Sequence, residues 1–512
     1  MNLLRTLSAI TGMTMVSRIT GLLRESIFAS AFGADAKTDA FNVAFRIPNL
    51  LRRLFAEGAF SQAFVPILSE SKTRNGEDVT KKLIDHVATV LVWSTIAVSV
   101  IGIVASPALI WLIGNGLKEF DTAVLMTQLM FPYIACMSFV ALAGGVLNTW
   151  RQFKIPAFTP VLLNLCFIGA ALLVAPLLEE PIYAMVIGVM VGGLAQVALQ
   201  IPSLLKIGMM PRIGFSFREA LRDEWVRRIL RKMGPAVFAV AAAQISLLIN
   251  TSIAASLREG SVSALTYADR LMEFPTAMLG VALGTILLPS LAKANNEGDA
   301  AEYSSLLNWG LRLTFMLAMP AAVGLATLAE PMVAALFNYG AFTAEDVHYS
   351  AEALMAYSVG LLGLILVKTL APAFYARQEV RTPVKIAVWV LVATQVLNLV
   401  FVPFLGVAGL ALSISVGACI NAAFLYMGLR QRGIFTPQAG WWTFFFKLLL
   451  GVTVMGVICH FGAAQVDWAA MRVQPVMRIV LLLGIVAAAG AAYFAVLFAL
   501  GFRLGDFKRT SR

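Results

Sequence analysis

Apolar runs of at least about 18 residues recur along the whole chain, each long enough to cross a hydrocarbon core of roughly 30 Å at about 1.5 Å per residue. Lipid offers a backbone no hydrogen-bond partner, so only helices and closed barrels can span it. A barrel would show segments of about ten residues with alternating polarity, and that pattern is absent. Only 13% of the residues are charged and 59% are hydrophobic, against about 25% charged in soluble domains. The chain therefore reads as an all-α integral membrane protein.

About fourteen transmembrane spans are expected, at 6–32, 38–68, 84–113, 122–150, 157–176, 182–206, 227–257, 261–293, 303–327, 346–376, 382–402, 406–430, 440–462 and 475–502. Ala29-Ser30-Ala31 resembles a signal-peptide cleavage site, but Arg18 and Arg24 interrupt the apolar stretch before it, so this segment is kept as span 1. Lys and Arg gather in the connections after spans 2, 4, 6, 10 and 12, among them Lys72, Arg74, Arg151, Lys206, Arg212, Arg377, Arg381 and Arg430. By the positive-inside rule these connections, and both termini, are cytoplasmic. The longest polar connection, 207–226, alternates Phe217, Leu221 and Trp225 with Arg218 and Arg222, as an interfacial amphipathic helix does.

A weak internal repeat runs at an offset of about 225. Arg46 answers to Arg270, Pro66 to Pro289, and Arg151-Gln152 with Pro156 to Arg377-Gln378 with Pro383. The expected organisation is two pseudo-symmetric six-helix lobes, 1–206 and 227–432, joined by the cytoplasmic amphipathic linker 207–226. Two extra helices and a cytoplasmic tail follow at 433–512. Parallel repeats of this kind place a substrate cleft between the lobes near the midplane.

The charges inside the spans are the chemistry of the sequence. Span 1 carries Arg18, Arg24 and Glu25, span 2 carries Asp39, Arg46, Arg52, Arg53 and Glu57, and span 8 carries Arg270 and Glu273. One Arg at a helix centre costs about 2.5–3.5 kcal/mol on an insertion scale, so several facing lipid would rival the net stability of a domain, about 5–15 kcal/mol. Two structural readings compete with a polar cavity: Arg46 snorkels to the headgroups, and Arg53–Glu57 and Arg270–Glu273 form ion pairs along their helices. Arg18, Arg24 and Arg52 remain as a positive excess that calls for an anion, and a guanidinium grips phosphate oxygens in a fork. Asp39 and Glu273 are expected to orient the arginines. Ser17, Asn49 and Ser263 either bind sugar and peptide groups or join helices by hydrogen bonds. Pro48, Gly58, Pro275 and Gly280 are hinge candidates beside these charges, with static packing kinks as the alternative.

Other chemistries find less support. Cys136, Cys166, Cys419 and Cys459 lie singly in apolar stretches, and the three histidines have no metal-ligand spacing. The formal charge of +11 is scattered over short loops rather than gathered in a polar domain, so no nucleic-acid partner is expected.

The stretches MTMVSRITGLLRES (13–26), TDAFNVAFRIPNLLRRLFAEGAFSQAFVPILSE (38–70) and YADRLMEFPTAMLGVALGTILLPSLAK (267–293), with LNTWRQFKIPAF (147–158) and FYARQEVRTPVKIA (374–387), strongly resemble the MurJ (MviN) family of lipid II flippases. That family belongs to the multidrug/oligosaccharidyl-lipid/polysaccharide exporter superfamily. The resemblance implies a substrate, undecaprenyl-pyrophosphate carrying a disaccharide-pentapeptide, moved from the cytoplasmic to the periplasmic leaflet of the bacterial inner membrane for peptidoglycan synthesis. It also implies substrate contacts at Ser17, Arg18, Arg24, Asp39, Asn49, Arg52, Ser263, Arg270 and Glu273, and a groove for the polyprenyl tail at spans 13 and 14. Lipid II, membrane lipids and the peptidoglycan synthesis machinery are the implied partners. No cofactor is expected, and the driving force stays open between membrane potential and a cation gradient. The rival readings are an exporter of another lipid-linked glycan or amphipathic compound and, further off, a membrane glycosyltransferase.

Overall fold

The computed structural model describes the backbone of residues 3–53 and 59–503, with side chains 3–14, 59, 62, 235–236, 238–243, 281–282 and 284–286 outside the description. Among the described residues every regular element is a helix. Packing divides the chain into two compact units, Met1–Ser263 and Ala264–Arg512.

The first unit holds α1 (Leu3–Phe32), α2 (Ala36–Arg52), α3 (Ala59–Gly114), α4 (Phe120–Met130), α5 (Tyr133–Thr149), α6 (Lys154–Gly169), α7 (Tyr183–Lys206), α8 (Phe217–Arg222) and α9 (Glu224–Ala255). Short π and 3-10 turns prolong α6 to Leu177. The start of α2 is set by Asp35, whose carboxylate accepts the Thr38 N–H at 2.8 Å, satisfying a donor that no helical carbonyl can reach. The expected break between spans 2 and 3 is one residue wide. Residues 69–83 stay helical, supported by Glu70–Arg74 and Lys81–Asp85 pairs at i,i+4, and the chain turns only at Gly76, with φ 79° and ψ −177°. That conformation is open essentially to glycine alone.

The linker's apolar side packs on protein. Ala220 is buried, and Phe217, Leu221 and Trp225 lie against a core built from Phe64, Ile67, Leu83, Val87, Leu142 and Val146. One face of α3 then ties the linker down. Asp85 accepts the Arg212 N–H at 2.7 Å, Thr89 accepts the Gly214 N–H at 2.9 Å, Trp93 donates to the Gly214 carbonyl at 2.9 Å, and His86 meets Asp223 at 2.7 Å. The amphipathic pattern is legible in the sequence, and part of its apolar face packs on protein while Phe215 stays exposed.

The second unit continues from α10 (Ser261–Pro275) through a π turn (Thr276–Val281) into α11 (Ala282–Asn296). It then holds α12 (Ala300–Thr327), α13 (Ala329–Phe337), α14 (Ala344–Tyr375), α15 (Arg381–Leu405), α16 (Val407–Gln431), α17 (Trp441–Ala464) and α18 (Pro475–Ala499). Its core gathers Leu287, Leu291, Leu307, Leu311, Leu370, Phe374, Leu425 and Leu429. Short α13 was not anticipated, because a nine-residue apolar helix has no span-length signature. By length and composition, ten helical segments of the described residues can cross a membrane, and Gln244–Ala255 of α9 is a shorter apolar one. These ten fall on expected spans 3–6 and 9–14. Segments α1, α2 with the start of α3, α9, and α10–α11 stand at the positions of the other four expected spans.

The internal repeat has a backbone signature. Among the described residues only Arg151 (φ 59°) and Gln378 (φ 58°) are left-handed without being glycine. Each closes a helix in the same way: Gln152 N–H reaches the Leu147 carbonyl at 2.8 Å, and Glu379 N–H the Phe374 carbonyl at 3.0 Å. The two sites are 227 positions apart (378 less 151), as are Pro156 and Pro383 (383 less 156). The Arg-Gln pairs that first suggest the repeat are thus out of register by one residue, and the equivalent of Arg151 is Gln378.

Candidate substrate site

In α1, Arg24 is held from three sides. Its guanidinium donates to the Asn164 side-chain oxygen at 3.1 Å, pairs with Glu25, and lies 5.1 Å from the centre of the Phe167 ring. Asn164 in turn donates to the Ser17 carbonyl and the Thr20 hydroxyl, both at 3.1 Å. This network fixes α1 on α6 and gives Arg24 a carboxylate of its own, so the positive excess expected at that position is offset locally. Ser17 contributes its carbonyl to the network.

Arg18 differs. It is half-buried on α1 and makes no hydrogen bond or ion pair among the described residues. A permanent cation in such a position is anion-seeking, because no described residue compensates its partial desolvation.

In α2, Arg52 directs both Nε, at 3.0 Å, and Nη2, at 2.8 Å, onto the Asn49 side-chain oxygen. Asn49 therefore orients the guanidinium rather than standing apart as a sugar ligand. Pro48 lies in the same turn, inside α2. Gly58 lies outside the described residues.

Asp39 does not touch an arginine in these contacts. Its carboxylate accepts the Gly260 N–H at 2.8 Å, the Ser263 N–H at 2.8 Å and the Ser263 hydroxyl at 2.6 Å. Those amides are the orphan donors at the start of α10, where the helix dipole favours an anion, so Asp39 caps α10 from 221 and 224 residues away. Asn42 adds a bond to the Ser263 hydroxyl at 3.1 Å, and Ser263 is fully buried. The expectation that Asp39 orients arginines is corrected by this geometry: a helix N-terminus is its partner. Beside it Glu259 accepts the Ala36 N–H at 3.1 Å and pairs with Lys118 at 2.6 Å. Both contacts hold the Glu259 carboxyl below its ordinary range. Gly260, at φ 84°, brings its Cα close to the Ala34 carbonyl, which a Cβ would meet at 2.5 Å.

In the second unit Arg270 pairs with Glu273 at 3.1 Å, one turn along α10, and both remain partly exposed. Pro275 ends the α-helical run, and the widened π turn that follows contains Gly280. A Cβ there would fall 2.5 Å from Cδ of Lys368 on α14, so the absent side chain makes room for a cation within a span. Lys368, Arg312 on α12 and Arg478 on α18 were not singled out in the sequence, although the same search for charges inside apolar spans finds all three. Arg478 is completely buried. It donates to the Trp468 and Asn338 carbonyls at 3.2 and 3.1 Å and lies 4.7 Å from the Tyr339 ring centre, stapling the start of α18 to the end of α13.

Comparison with known proteins completes the picture. The family model described as lipid II flippase MurJ matches residues 28–496. The lipid II flippase MurJ of Burkholderia cenocepacia is 53% identical over 516 residues, covering 100% of both chains. The probable lipid II flippase MurJ of Haemophilus influenzae is 39% identical over 509 residues, covering 96% of this chain and 98% of its own. Among solved structures, one of lipid II flippase MurJ in an inward closed conformation has TM-score 0.79 at 24% identity, covering 96% of this chain and 99% of its own. An inward-facing multidrug resistance MATE family transporter of the MOP superfamily has TM-score 0.70 at 15% identity over 83% of this chain and 98% of its own, a likeness of fold alone. A family match across most of the length, with relatives aligned end to end, places this chain in the MurJ family of lipid II flippases.

Proposed function

We propose that this protein moves lipid II from the cytoplasmic to the periplasmic leaflet by alternating access through a cationic central cavity, with both termini in the cytoplasm. The single observation that carries the cavity is Arg18, a half-buried guanidinium on α1 with no partner among the described residues. A diphosphate supplies the missing charge and accepts the fork of donors. Arg24 with Glu25, Arg52 on Asn49, and Arg270 with Glu273 stand as oriented groups that share the headgroup, while the polyprenyl tail stays in lipid along spans 13 and 14.

In this reading the Asp39 cap on α10 and the Glu259–Lys118 pair form the periplasmic seal. They break when the outer face opens, and Pro48, Pro275 and Gly280 bend the helices that carry them. No cofactor enters. The membrane potential and a cation gradient are the two candidate driving forces, and collapsing each separately in proteoliposomes distinguishes them. The flipped product passes to the periplasmic polymerases of the peptidoglycan machinery.

The test is leaflet-resolved labelling of lipid II in cells depleted of the protein. Wild type restores the periplasmic pool, whereas Arg18→Ala, inserted to the same level, does not. Full restoration by Arg18→Ala removes this residue from the mechanism.

A further inference from the structure

The second unit contains a cavity of about 740 Å³ lined by α12, α14, α16, α17 and the loop before α17, within the range of roughly 300–1,000 Å³ typical of ligand pockets. Its walls are apolar, with Leu362, Leu366 and Leu370 from α14, Ala423 from α16, Phe435 from the following loop and Trp441 from α17. From Leu370 to Leu362 it runs about 12 Å along α14 at about 1.5 Å per residue. One end is marked by Trp441 and Trp442, the latter 90% exposed, the residue type that gathers where hydrocarbon meets headgroups. A cavity that starts at that boundary and runs inward between helices has the form of an acyl-chain slot.

The boundary end also carries a charge. The Arg312 guanidinium donates to the Ala439 carbonyl at 2.9 Å, lies 5.3 and 5.8 Å from the ring centres of Trp441 and Phe444, and would stand 3.8 Å from a Cβ on Gly440. Ala439, Gly440 and Trp441 all line the cavity, so the cation sits on its rim. Among the described residues Arg312 has no acidic partner, and its Nε is buried without a hydrogen-bond acceptor. An apolar slot with one uncompensated cation at its mouth is complementary to a molecule with a hydrocarbon chain and a single anionic head.

We propose that this cavity binds an anionic phospholipid of the surrounding bilayer, with one acyl chain between α14 and α16 and its phosphate on Arg312. A bilayer phospholipid is chosen over the transported lipid because none of the headgroup-contact residues lines the cavity and a single cation at its mouth matches one phosphate, whereas Trp441 and Trp442 belong to span 13 and make the polyprenyl tail the competing occupant. The proposal does not depend on the flipping reaction.

The full-length protein, reconstituted in nanodiscs of phosphatidylcholine with one-fifth phosphatidylglycerol, would be extracted in mild detergent and its retained lipids counted by native mass spectrometry. Wild type is expected to retain phosphatidylglycerol in preference to phosphatidylcholine. Arg312→Gln should lower that preference about fivefold, the ratio that about 1 kcal/mol per arginine near a membrane surface provides, and Arg312→Lys should keep most of it. Ala423→Trp, at an exposed lining position, should block the chain slot while leaving Arg312 in place, which keeps the test open should the arginine variants fail to fold. Equal retention of the two lipids by wild type, or unchanged preference in both Arg312→Gln and Ala423→Trp, overturns the proposal. So does displacement of phosphatidylglycerol by equimolar polyprenyl diphosphate that Ala423→Trp abolishes, because the cavity would then belong to the substrate.

Discussion

Replacing Asp39 by alanine removes at least three bonds at once, among them two to the N–H groups of Gly260 and Ser263 and one to the Ser263 hydroxyl. The site is buried, with Asp39 3% exposed and Ser263 fully enclosed, so water cannot readily replace the carboxylate. Each buried donor left without a partner costs about 1–3 kcal/mol, and loss of a helix N-cap about 0.5–2 kcal/mol. Taking the two amides near the middle of that range, local opening at the start of α10 becomes easier by about 3 kcal/mol. At about 1.4 kcal/mol per decade, that is roughly a hundredfold. Asparagine keeps an oxygen toward Ser263 and loses the bond to Gly260, so Asp39→Asn should cost about 1 kcal/mol, or roughly fivefold. The assay is amide hydrogen exchange read by mass spectrometry on peptides covering 258–266 in detergent micelles, with peptides from α14 as an internal reference. Exchange within twofold of wild type in Asp39→Ala would refute the capping argument.

Further outcomes follow from the same contacts. Arg18→Lys should keep a charge but lose the fork, leaving lipid II transport in proteoliposomes reduced about tenfold, whereas Arg18→Ala should lose about a hundredfold, the range for truncating one side of a hydrogen-bonded charge pair. Glu259 has its folded pKa depressed by Lys118 and the Ala36 amide. Its contribution is therefore present above the ordinary value of 4.5 and is lost as pH falls below it. Exchange at Ala36 should quicken in acid in wild type and be pH-independent, beyond intrinsic chemistry, in Glu259→Gln. Gly76→Ala meets no atom within 4 Å, so its whole effect is backbone strain of about 1–3 kcal/mol, visible as a lower denaturant midpoint in micelles. An unchanged midpoint would mean that α3 straightens at no cost.

The spans were legible because membrane crossing imposes a length and an apolar composition that local sequence must satisfy. Arg18, Arg24 and Arg52 stood out for the same reason, since an arginine inside such a run needs an explanation wherever it points. What could not be read was the identity of each partner. Asp39 meets α10 across more than 220 residues, and nothing near it in sequence distinguishes a carboxylate that caps a helix from one that orients a guanidinium. The apolar face of 217–225 fits lipid and protein equally well by pattern, and the contacts of Phe217, Leu221 and Trp225 with the core beside α3 come from the fold. The register of the repeat slipped by one because the eye matches Arg with Arg, whereas the backbone matches the left-handed positions Arg151 and Gln378. Arg312 and Arg478 are legible as charges inside apolar spans, but the carbonyls and aromatic rings that hold them are supplied by distant segments and are not.

The claim on which transport rests is that position 18 faces water and meets the diphosphate. With Cys136, Cys166, Cys419 and Cys459 replaced by serine or alanine, a cysteine introduced as Arg18→Cys can be probed with an anionic, membrane-impermeant thiosulfonate added to the cytoplasmic face of inverted vesicles. Rapid labelling that slows when lipid II is supplied is the predicted result. Absence of labelling, or labelling indifferent to saturating lipid II, would contradict it.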